Sequence, residues 1–361
     1  MISVGVSGLL MIMQLSLMFG AFRNASAPIT MSDVSFWVGP AGSTSLESSS
    51  GLTEAQSSLL WLIPEIERME AYAPVIGDLR LPKEPGDDTL EQEHWIQIIG
   101  TPSTPDGMLY SELLPLKTRA ALAEPGSIIL DTAFAARLDV EIGDRVLINS
   151  KDARIIGLVD GLRGVLDTPV ITSQVTARFF AGTEQTPPKF ILVKLRDDVT
   201  PEALDRLLSS FIGHPDLTFW MEDELIASSM ASWMASGLGA VFTSSVGIAL
   251  VVTLLIVSQS FAGSVAASIR EYAALRAYGL SFGRLQRLVM AQGGIVGIAA
   301  IGVTAIVAGF LISFLRARNV SVVLTPSLVI WSAVALMIVV FLSNLLALRR
   351  LRRADPAALL R

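Results

Sequence analysis

The chain has four long stretches without charged residues, and one long region in which charged residues recur lies between the first and the second of them. Charged side chains are missing from 1–22, 225–269, 288–315 and 319–348. Each of these stretches exceeds the roughly 18 apolar residues that indicate a membrane-spanning helix. Residues 225–269 form a stretch of 45 residues, which as a single helix would be about 68 Å long, twice what a bilayer needs.

The pattern predicts four spans, at residues 1–22, 237–263, 288–315 and 327–348. Residues 225–236 are richer in Ser and Ala, and we expect them to form a stalk, the outer part of one long helix that enters the membrane near Gly237. The first span has an alternative as a secretory signal peptide, because Ala25-Ser26-Ala27 resembles a cleavage site. No Lys or Arg precedes its apolar run, which favours a retained helix.

Residues 23–224 carry the alternation and turn residues of an α+β domain. Predicted strands lie at 33–38, 72–81, 95–99, 127–130, 144–149, 153–159, 170–172, 190–195 and 217–221. Predicted helices lie near 59–69 and at 132–138, 173–180 and 200–211. The fold class is therefore an integral membrane α-helical protein with four transmembrane helices and a large α+β extracytoplasmic domain between helices 1 and 2.

Composition supports this organisation, and charge orients it. Of 361 residues, 52% are hydrophobic and 17% charged, against roughly 25% charged in an average soluble protein. Residues 23–234 hold 16 Lys/Arg and 31 Asp/Glu, a net charge of −15, while the rest of the chain holds 11 and two, a net of +9. Arginines concentrate in 264–287 and 349–361. The positive-inside rule places both segments in the cytoplasm and the acidic domain outside.

Catalytic chemistry is sparse in this sequence. It has no cysteine and two histidines, which excludes thiol catalysis and disulfides and argues against a histidine metal cluster. His94 neighbours Glu91 and Glu93, which could form an acid–base or metal site, but an exposed loop before a strand explains them equally well. No GxxxxGK[ST] motif occurs. We expect no catalytic, cofactor or metal site and no nucleic-acid partner, and a membrane-anchored enzyme is the least favoured alternative.

The segment SIREYAALRAYGLSFGRLQRLVMAQ, residues 268–292, is the most informative. Its periodicity predicts a short amphipathic helix, a stop at Gly279, and a second helix that begins at 282–288 and continues into the third span. Two interpretations fit this pattern. The segment is either a surface-lying interfacial helix with basic anchors or a docking helix for a cytoplasmic partner.

The stretch REYAALRAYGLS, residues 270–281, resembles the R-x-E-I-G-x-L-K-A-L-G-A-S stretch of MacB/FtsX-type ABC transporter permeases. It lacks one residue between Arg and Glu, and Tyr272-Ala273 stand where Ile-Gly is usual. Residues 125–159 resemble the periplasmic-domain motif of the family, and 352–357 resemble its closing R-x-x-P-x-x-A-L-R motif. The first span, with Met13-Gln14-Leu15, is most similar to the DevC-like branch.

The resemblance implies a non-catalytic, multi-pass permease of the cell inner membrane whose partner, a cytoplasmic ABC ATPase subunit, binds and hydrolyses ATP. A second permease would complete a homo- or heterodimer, and a DevC-like system would add a periplasmic adaptor and an outer-membrane channel. ATP-driven closure would move the periplasmic domain, a mechanotransmission mechanism. Lipoprotein release, or FtsX-like activation of a cell-wall hydrolase, are the alternative functions.

Specific residues follow from the resemblance. The residues expected to couple the permease to the ATPase are Arg270, Glu271, Tyr272, Leu275, Tyr278 and Gly279. Among them Glu271 would be a polar contact, the two tyrosines and Leu275 apolar contacts, and Gly279 would permit the turn. Separately, small residues at or near small-xxx-small spacing predict close helix packing at the dimer interface, although glycine is also simply common in spanning helices. These residues are Gly237, Ala240, Gly293 and Gly297.

Overall fold

A computed structural model describes residues 2–47, 49–82, 93–162, 168–183, 186–211, 214–317 and 326–353. The chain divides into two units: a helical unit, Met1–Gly20 with Gly237–Arg361, and an α+β unit, Ala21–Ser236.

The elements are numbered in chain order. The helices are α1 Ile2–Ala25, α2 Ala27–Thr30, α3 Glu54–Leu59, α4 Leu116–Ala121, α5 Thr132–Leu138, α6 Gln174–Ala181, α7 Pro201–Phe211, α8 Glu222–Ala235, α9 Gly237–Ala267, α10 Ile269–Ala277, α11 Phe282–Ala317 and α12 Pro326–Arg353. The strands are β1 Phe36–Pro40, β2 Ile66–Tyr72, β3 Val75–Arg80, β4 His94–Thr101, β5 Ser127–Asp131, β6 Arg145–Ile148, β7 Lys151–Val159, β8 Thr168–Ser173, β9 Phe190–Leu195 and β10 Leu217–Trp220.

The α+β unit contains a four-stranded sheet and a closed barrel. The sheet has the strand order β10-β1-β9-β2 and is antiparallel throughout. The barrel has the order β3-β4-β8-β5-β7-β6 and includes two parallel pairs, β4 with β8 and β5 with β7. Closing the second sheet into a barrel removes its free edges, which would otherwise template pairing with another chain.

Strand and helix pairs in the barrel form where local signals agree. Ser127–Asp131 is buried at every position, and the Asp131 carboxylate then caps α5 by accepting the Ala133 N–H at 2.9 Å. The β6–β7 hairpin turns through Asn149 and Ser150, whose φ values of 47° and 63° are those of a tight hairpin turn. The predicted helix at 132–138 and the predicted hairpin are both found.

The helix predicted near 59–69 is wrong, because Pro64 divides that segment. A proline disfavours helical backbone in the residue before it. The chain accordingly forms α3, a 3₁₀ turn at Leu60–Leu62, and then strand β2 from Ile66. The capping box of Thr53 with Gln56 starts α3 earlier than the hydrophobic pattern suggested.

Three helices of the described residues are long and apolar enough to cross a membrane: Val4–Ala25, Gly239–Ala267 and Gly283–Leu311. A shorter apolar helix, Val329–Leu345, lies within α12. Together with the α+β unit they make this a membrane protein with a large domain outside the bilayer. The helical unit has its own buried cluster, in which Val4 and Met11 of α1 lie with residues of α9, α11 and α12.

The expectation of one continuous helix from 225 to 263 is wrong at one residue. Ser236 has an extended backbone, φ −70° and ψ 162°, between α8 and α9. The predicted stalk is therefore a separate helix of the α+β unit. Its Leu225 is fully buried, and the Ser228 hydroxyl donates to the Thr44 carbonyl at 2.7 Å.

Candidate functional site

The segment between α9 and α11 is a helix followed by a glycine turn. Backbone hydrogen bonding continues past α9, with the Tyr272 N–H donating to the Ser268 carbonyl at 3.0 Å. α10 ends where the Leu280 N–H donates back to the Leu275 carbonyl at 3.1 Å, and Gly279 has a φ of +90°. Such a left-handed residue after a helix is the usual glycine stop. The chain then enters α11 at Phe282, as the sequence predicts.

One face of α10 points outward. Glu271, Leu275 and Tyr278 are exposed, Leu275 by 38% and Tyr278 by 91%. Spacings of four and three residues put these three side chains on the same side of a helix. Arg270 and Gly279 are also exposed. The face combines a carboxylate, an aliphatic chain and an aromatic ring, which is suited to a protein partner rather than to catalysis.

Tyr272 does not belong to that face, so its assignment as an apolar contact to the ATPase is wrong. It is 7% exposed and lies in the buried cluster of the helical unit with Val265 of α9 and Leu285 of α11. The next position along a helix is rotated by 100°, so a residue adjacent to Glu271 cannot share its face. Helical spacing alone could have separated Tyr272 from Tyr278, which is six positions further on, but not from Leu275, which is three positions further on.

Two of the predicted packing glycines are used inside this chain. A Cβ added to Gly293 would lie 2.6 Å from Asn344 Cγ of α12, and one added to Gly297 would lie 3.2 Å from the Met337 Sδ and the Val340 Cγ1. Both glycines therefore let α11 and α12 approach each other. Assigning them to a dimer interface is wrong, since that surface is already covered by the same chain.

The other two small residues remain uncovered. A Cβ at Gly237 would meet nothing within 4 Å among the described atoms, and Ala240 is exposed. Their place at a dimer interface stays a prediction.

Polar side chains join helices of the helical unit. The Ser245 hydroxyl of α9 donates to Gln14 Oε1 of α1 at 3.0 Å, and the Thr304 hydroxyl of α11 donates to the Gly5 carbonyl of α1 at 3.1 Å. Hydrogen bonds between helices are the expected use of uncharged polar groups in a membrane.

The α+β unit contains a buried charged network. Glu70 of β2 is 4% exposed and Arg119 of α4 is 1% exposed. The Glu70 carboxylate accepts the Met108 N–H at 2.6 Å, the Leu109 N–H at 3.2 Å and the Thr101 hydroxyl at 3.1 Å. Arg119 donates to Thr101 Oγ1 at 2.8 Å and to the Leu109 carbonyl at 2.6 Å. The network thus joins β2 of the sheet to β4 of the barrel.

Burial dominates the electrostatics of this network. Desolvation raises the pKa of Glu70, opposed by its hydrogen bonds and by Arg119. Desolvation lowers the pKa of Arg119, opposed by Glu70 and Asp106. Gly107 makes room for the guanidinium, because a Cβ there would lie 2.9 Å from Arg119 Cζ. Both side chains are buried, so the network stabilises the contact between sheet and barrel and presents no reactive group to a substrate.

A cleft of about 500 Å³ lies where β2, β3, β4 and α6 meet the loop before α3. Ala71, Val75 and Gly100 contribute to its wall, and its charged lining residues are Glu54 and Arg178. Its lining is mostly small and uncharged, which allows it to hold an apolar group.

His94 is a structural residue of β4. Its ring lies edge-on to Phe134 with centroids 6.0 Å apart, and burial, followed by Arg137, lowers its pKa. Its neighbour Glu93 pairs with Arg80 at 2.9 Å, and Glu91 lies outside the described residues. The structure favours the non-catalytic interpretation of this cluster.

Two family models match the chain in succession. The MacB-like periplasmic core domain matches residues 1–210, which is more than half of the chain, and the FtsX-like permease C-terminal domain matches residues 243–356. The chain belongs to the MacB/FtsX-type family of ABC transporter permeases. The family implies a membrane setting and a partner ATPase.

Solved structures of MacB-type domains are similar to part of this permease. The periplasmic region of MacB from Actinobacillus actinomycetemcomitans is 16% identical, covers 56% of this chain and 94% of its own, and has a TM-score of 0.37. The extracellular domain of the noncanonic ABC-type transporter YknZ from Gram-positive bacteria is 14% identical, covers 52% and 99%, and has a TM-score of 0.33. No curated protein sequence matches the chain.

Within this permease, α10 lies inside the FtsX-like half and the Glu70–Arg119 network inside the MacB-like half. The sequence indicated the first site through its periodicity and its resemblance. It gave no signal for the second, since Glu70 and Arg119 are 49 positions apart and neither α4 nor β2 was predicted.

Proposed function

We propose that this chain is the permease subunit of an ABC exporter of the mechanotransmission type, in the cell inner membrane. A separate ATPase subunit hydrolyses ATP, and the chain couples that step to movement of its periplasmic domain and export of a substrate from the inner membrane or periplasm. One observation carries the proposal. The outward face of α10, with Glu271, Leu275 and Tyr278, lies in the FtsX-like half and is open to a partner.

The chemistry of that face supports an ATPase groove as its partner. An aromatic ring that is 91% exposed is a ready anchor for a pocket, and anchors of this type dominate binding energies. The Glu271 carboxylate beside it provides a charged contact for a basic group. Because the apolar and the charged contacts lie on one helix, a displacement of the bound ATPase would move that helix as a unit.

Four spans remain the proposed topology. The apolar part of α12 has 17 residues, about 26 Å at 1.5 Å per residue, slightly less than the hydrocarbon core. Arginines follow it at 349–353 in the sequence, and basic residues at the end of a spanning helix are typical of a membrane boundary. Retention of α1 as a span is supported by its hydrogen bonds to Ser245 and Thr304 in later helices.

Two further assignments belong to this proposal. A second permease pairs with the first, and the exposed Gly237 and Ala240 are candidates for that contact. A DevC-like assembly with a periplasmic adaptor and an outer-membrane channel is supported by the likeness of Met13-Gln14-Leu15 in α1 to that branch.

Charge reversal on α10 tests the proposal. The full-length permease is purified with its cytoplasmic ABC ATPase subunit, as wild type, as Glu271→Arg and as Glu202→Arg, an exposed acid of α7 in the α+β unit. We expect Glu271→Arg to reduce the bound ATPase about tenfold or more, because like charges brought together cost several kcal/mol, and Glu202→Arg to leave it unchanged. Normal binding and normal coupling of ATP hydrolysis in Glu271→Arg would show that α10 is not the coupling helix.

A further inference from the structure

Tyr272 is the residue by which α10 is attached to α11. Its ring is buried in a cluster that contains Val265 of α9 together with Leu285 and Val289 of α11. Its hydroxyl lies 3.3 Å from the Gln292 Oε1 and donates to it. This hydrogen bond spans 20 residues and joins two helices on either side of the Gly279 turn.

Gln292 has an unusual position for an amide. It lies on an outward stripe of α11 with the exposed residues Leu288 and Ile295, at spacings of four and three. In α11, which crosses the bilayer, such a stripe faces lipid or another helix, and a polar group there is costly unless it is hydrogen-bonded. The Tyr272 hydroxyl supplies that partner. The hydrogen bond from Tyr272 therefore accounts for a glutamine at this outward position of α11.

The hydrogen bond from Tyr272 reaches α11 well beyond the first turn of that helix. Gln292 is ten residues beyond the start of α11 at Phe282, which is about 15 Å along the helix axis. A displacement of α10 is thus applied to the body of α11 and not only to its first turn. Next to Gln292, Gly293 is the position at which Asn344 of α12 packs against α11. Movement of α10 can in this way reach α12.

We infer that Tyr272 is a positioning residue, which latches α10 to α11 through ring burial and the Gln292 hydrogen bond, so that a push on the outward face of α10 moves α11 and α12. The transmission part of this inference rests on the proposed function. The latch itself does not, since it concerns contacts within this chain. At 3.3 Å the hydrogen bond is long, so the buried ring provides most of the attachment and the hydroxyl fixes its direction.

Because the sequence has no cysteine, introduced cysteines can carry spin labels at chosen positions and test the latch directly. Spin labels are placed on cysteines introduced at Ala274 of α10 and Phe310 of α11, both exposed, in the full-length permease in nanodiscs. Distances between the labels are measured by pulsed electron paramagnetic resonance. We expect one narrow distribution for the wild-type background and a broader one in Tyr272→Phe, in Gln292→Leu and, to the same extent, in the double variant, because the ring stays buried while the hydrogen bond that fixes its direction is lost.

Thr304→Val is the matched control. Thr304 is a buried residue of α11 whose hydroxyl bonds to Gly5 of α1, so this variant loses a hydrogen bond in the same helix without touching α10. It should keep the narrow peak. An unchanged peak in Tyr272→Phe, or the same broadening in Thr304→Val, would overturn the latch.

Transmission is tested in the complex with the ATPase. Tyr272→Phe should bind the ATPase as the wild type does, yet lower the ATP hydrolysis rate of the complex about three- to tenfold, the range that one intramembrane hydrogen bond can control. Gln292→Leu should match it and the double variant should be no worse, because both changes remove the same contact. Equal hydrolysis in all variants, or fully additive losses, would overturn transmission. If the wild-type permease binds no ATPase, the proposed function fails and the spin-label result still decides the latch.

Discussion

The two units of this permease treat polar groups in opposite ways. In the α+β unit, a carboxylate and a guanidinium, Glu70 and Arg119, are buried together and surrounded by hydrogen-bond partners. In the described part of the helical unit, the buried polar residues are Ser, Thr and Asn, none of them charged. Its outward side chains are large and apolar, such as Ile295 and Phe310.

The difference reflects the solvent of each unit. A protein in water can place charges on its surface and bury a charged pair when hydrogen bonds satisfy it. A helix in lipid cannot expose charges cheaply, and its apolar residues face outward because the lipid is as apolar as they are. Among the residues whose exposure the structure describes, the exposed charges of the helical unit lie in or near α10: Arg270, Glu271, Arg284 and Arg287. Charged side chains at the surface of this segment favour contact with water over contact with lipid.

The sharpest test of the comparison is which side of the membrane each unit occupies. Single cysteines replace Tyr278 in the helical unit and Trp61 in the α+β unit, both highly exposed, in a chain that has no cysteine of its own. A membrane-impermeant maleimide added to intact cells should label Trp61→Cys fully and Tyr278→Cys not at all. After solubilisation in detergent and removal of the bound ATPase, both should react. Labelling of both in intact cells would contradict the proposed topology.

Removing the buried cation should give the largest stability effect. Arg119→Met removes the buried hydrogen bonds of the guanidinium to Thr101 and to the Leu109 carbonyl, which should lower the local unfolding free energy by about 3 kcal/mol. Hydrogen exchange of the β2 and β4 amides in the full-length protein measures this, and α11 should not respond. Arg68→Met is the control, since Arg68 pairs with Asp106 at a partly exposed site at 3.3 Å, where about 1 kcal/mol or less is expected. Equal effects of both variants would mean that the burial of Arg119 is unimportant for stability.

A smaller effect is expected from a methyl group in the helical unit. Gly293→Ala would bring a Cβ to 2.6 Å from Asn344 Cγ, and such overpacking costs about 1–3 kcal/mol. The adjacent Gly294→Ala meets nothing within 4 Å among the described atoms and should stabilise α11 by up to about 1 kcal/mol through helix propensity. Thermal unfolding in detergent compares the two. If both variants shift the midpoint in the same direction, the close approach of α11 and α12 at Gly293 is not supported.

The smallest effect is a pH dependence confined to the α+β unit. Burial raises the pKa of Glu70 above its ordinary value of 4.5. Because the folded state holds this proton more tightly, its contribution to stability is complete below about pH 4.5 and is lost as the pH rises through the raised pKa. Glu70→Gln cannot titrate and should flatten that part of the profile. Glu67→Gln, at an exposed position of β2, should keep the wild-type slope, and a flattened slope in this control would rule out Glu70 as its source.

Local signals predicted much of the fold. The uncharged stretches indicated α1, α9 and α11, and the helix predicted at 132–138 has those bounds in the structure, where Asp131 caps it and buried strand β5 precedes it. Where two signals competed, the weaker pattern misled: the apolar run near 59–69 suggested a helix, and Pro64 ended it. Helix α8 ends before Ser236, and because this position is neither proline nor glycine, the sequence did not indicate the end of the helix.

For the proposed coupling segment, the sequence predicted the helix α10 but not which of its side chains are buried. Resemblance and periodicity placed the coupling segment at α10, but only the packed helices show that Tyr272 faces α11 while Tyr278 faces outward. Long-range partners were beyond the sequence for a physical reason. The contact of Gly293 with Asn344, and of Glu70 with its network, depends on which helices and strands become neighbours.

The central claim is that the outward face of α10 binds the ATPase. The affinity of the ATPase subunit for the full-length permease in nanodiscs tests it most directly, with Tyr278→Ala compared with Trp61→Ala, which removes a similarly exposed aromatic ring from the α+β unit. The account predicts at least about a tenfold weaker affinity for Tyr278→Ala, as for an aromatic hot spot, and no change for Trp61→Ala. Unchanged affinity in Tyr278→Ala, or a loss only in Trp61→Ala, would contradict it.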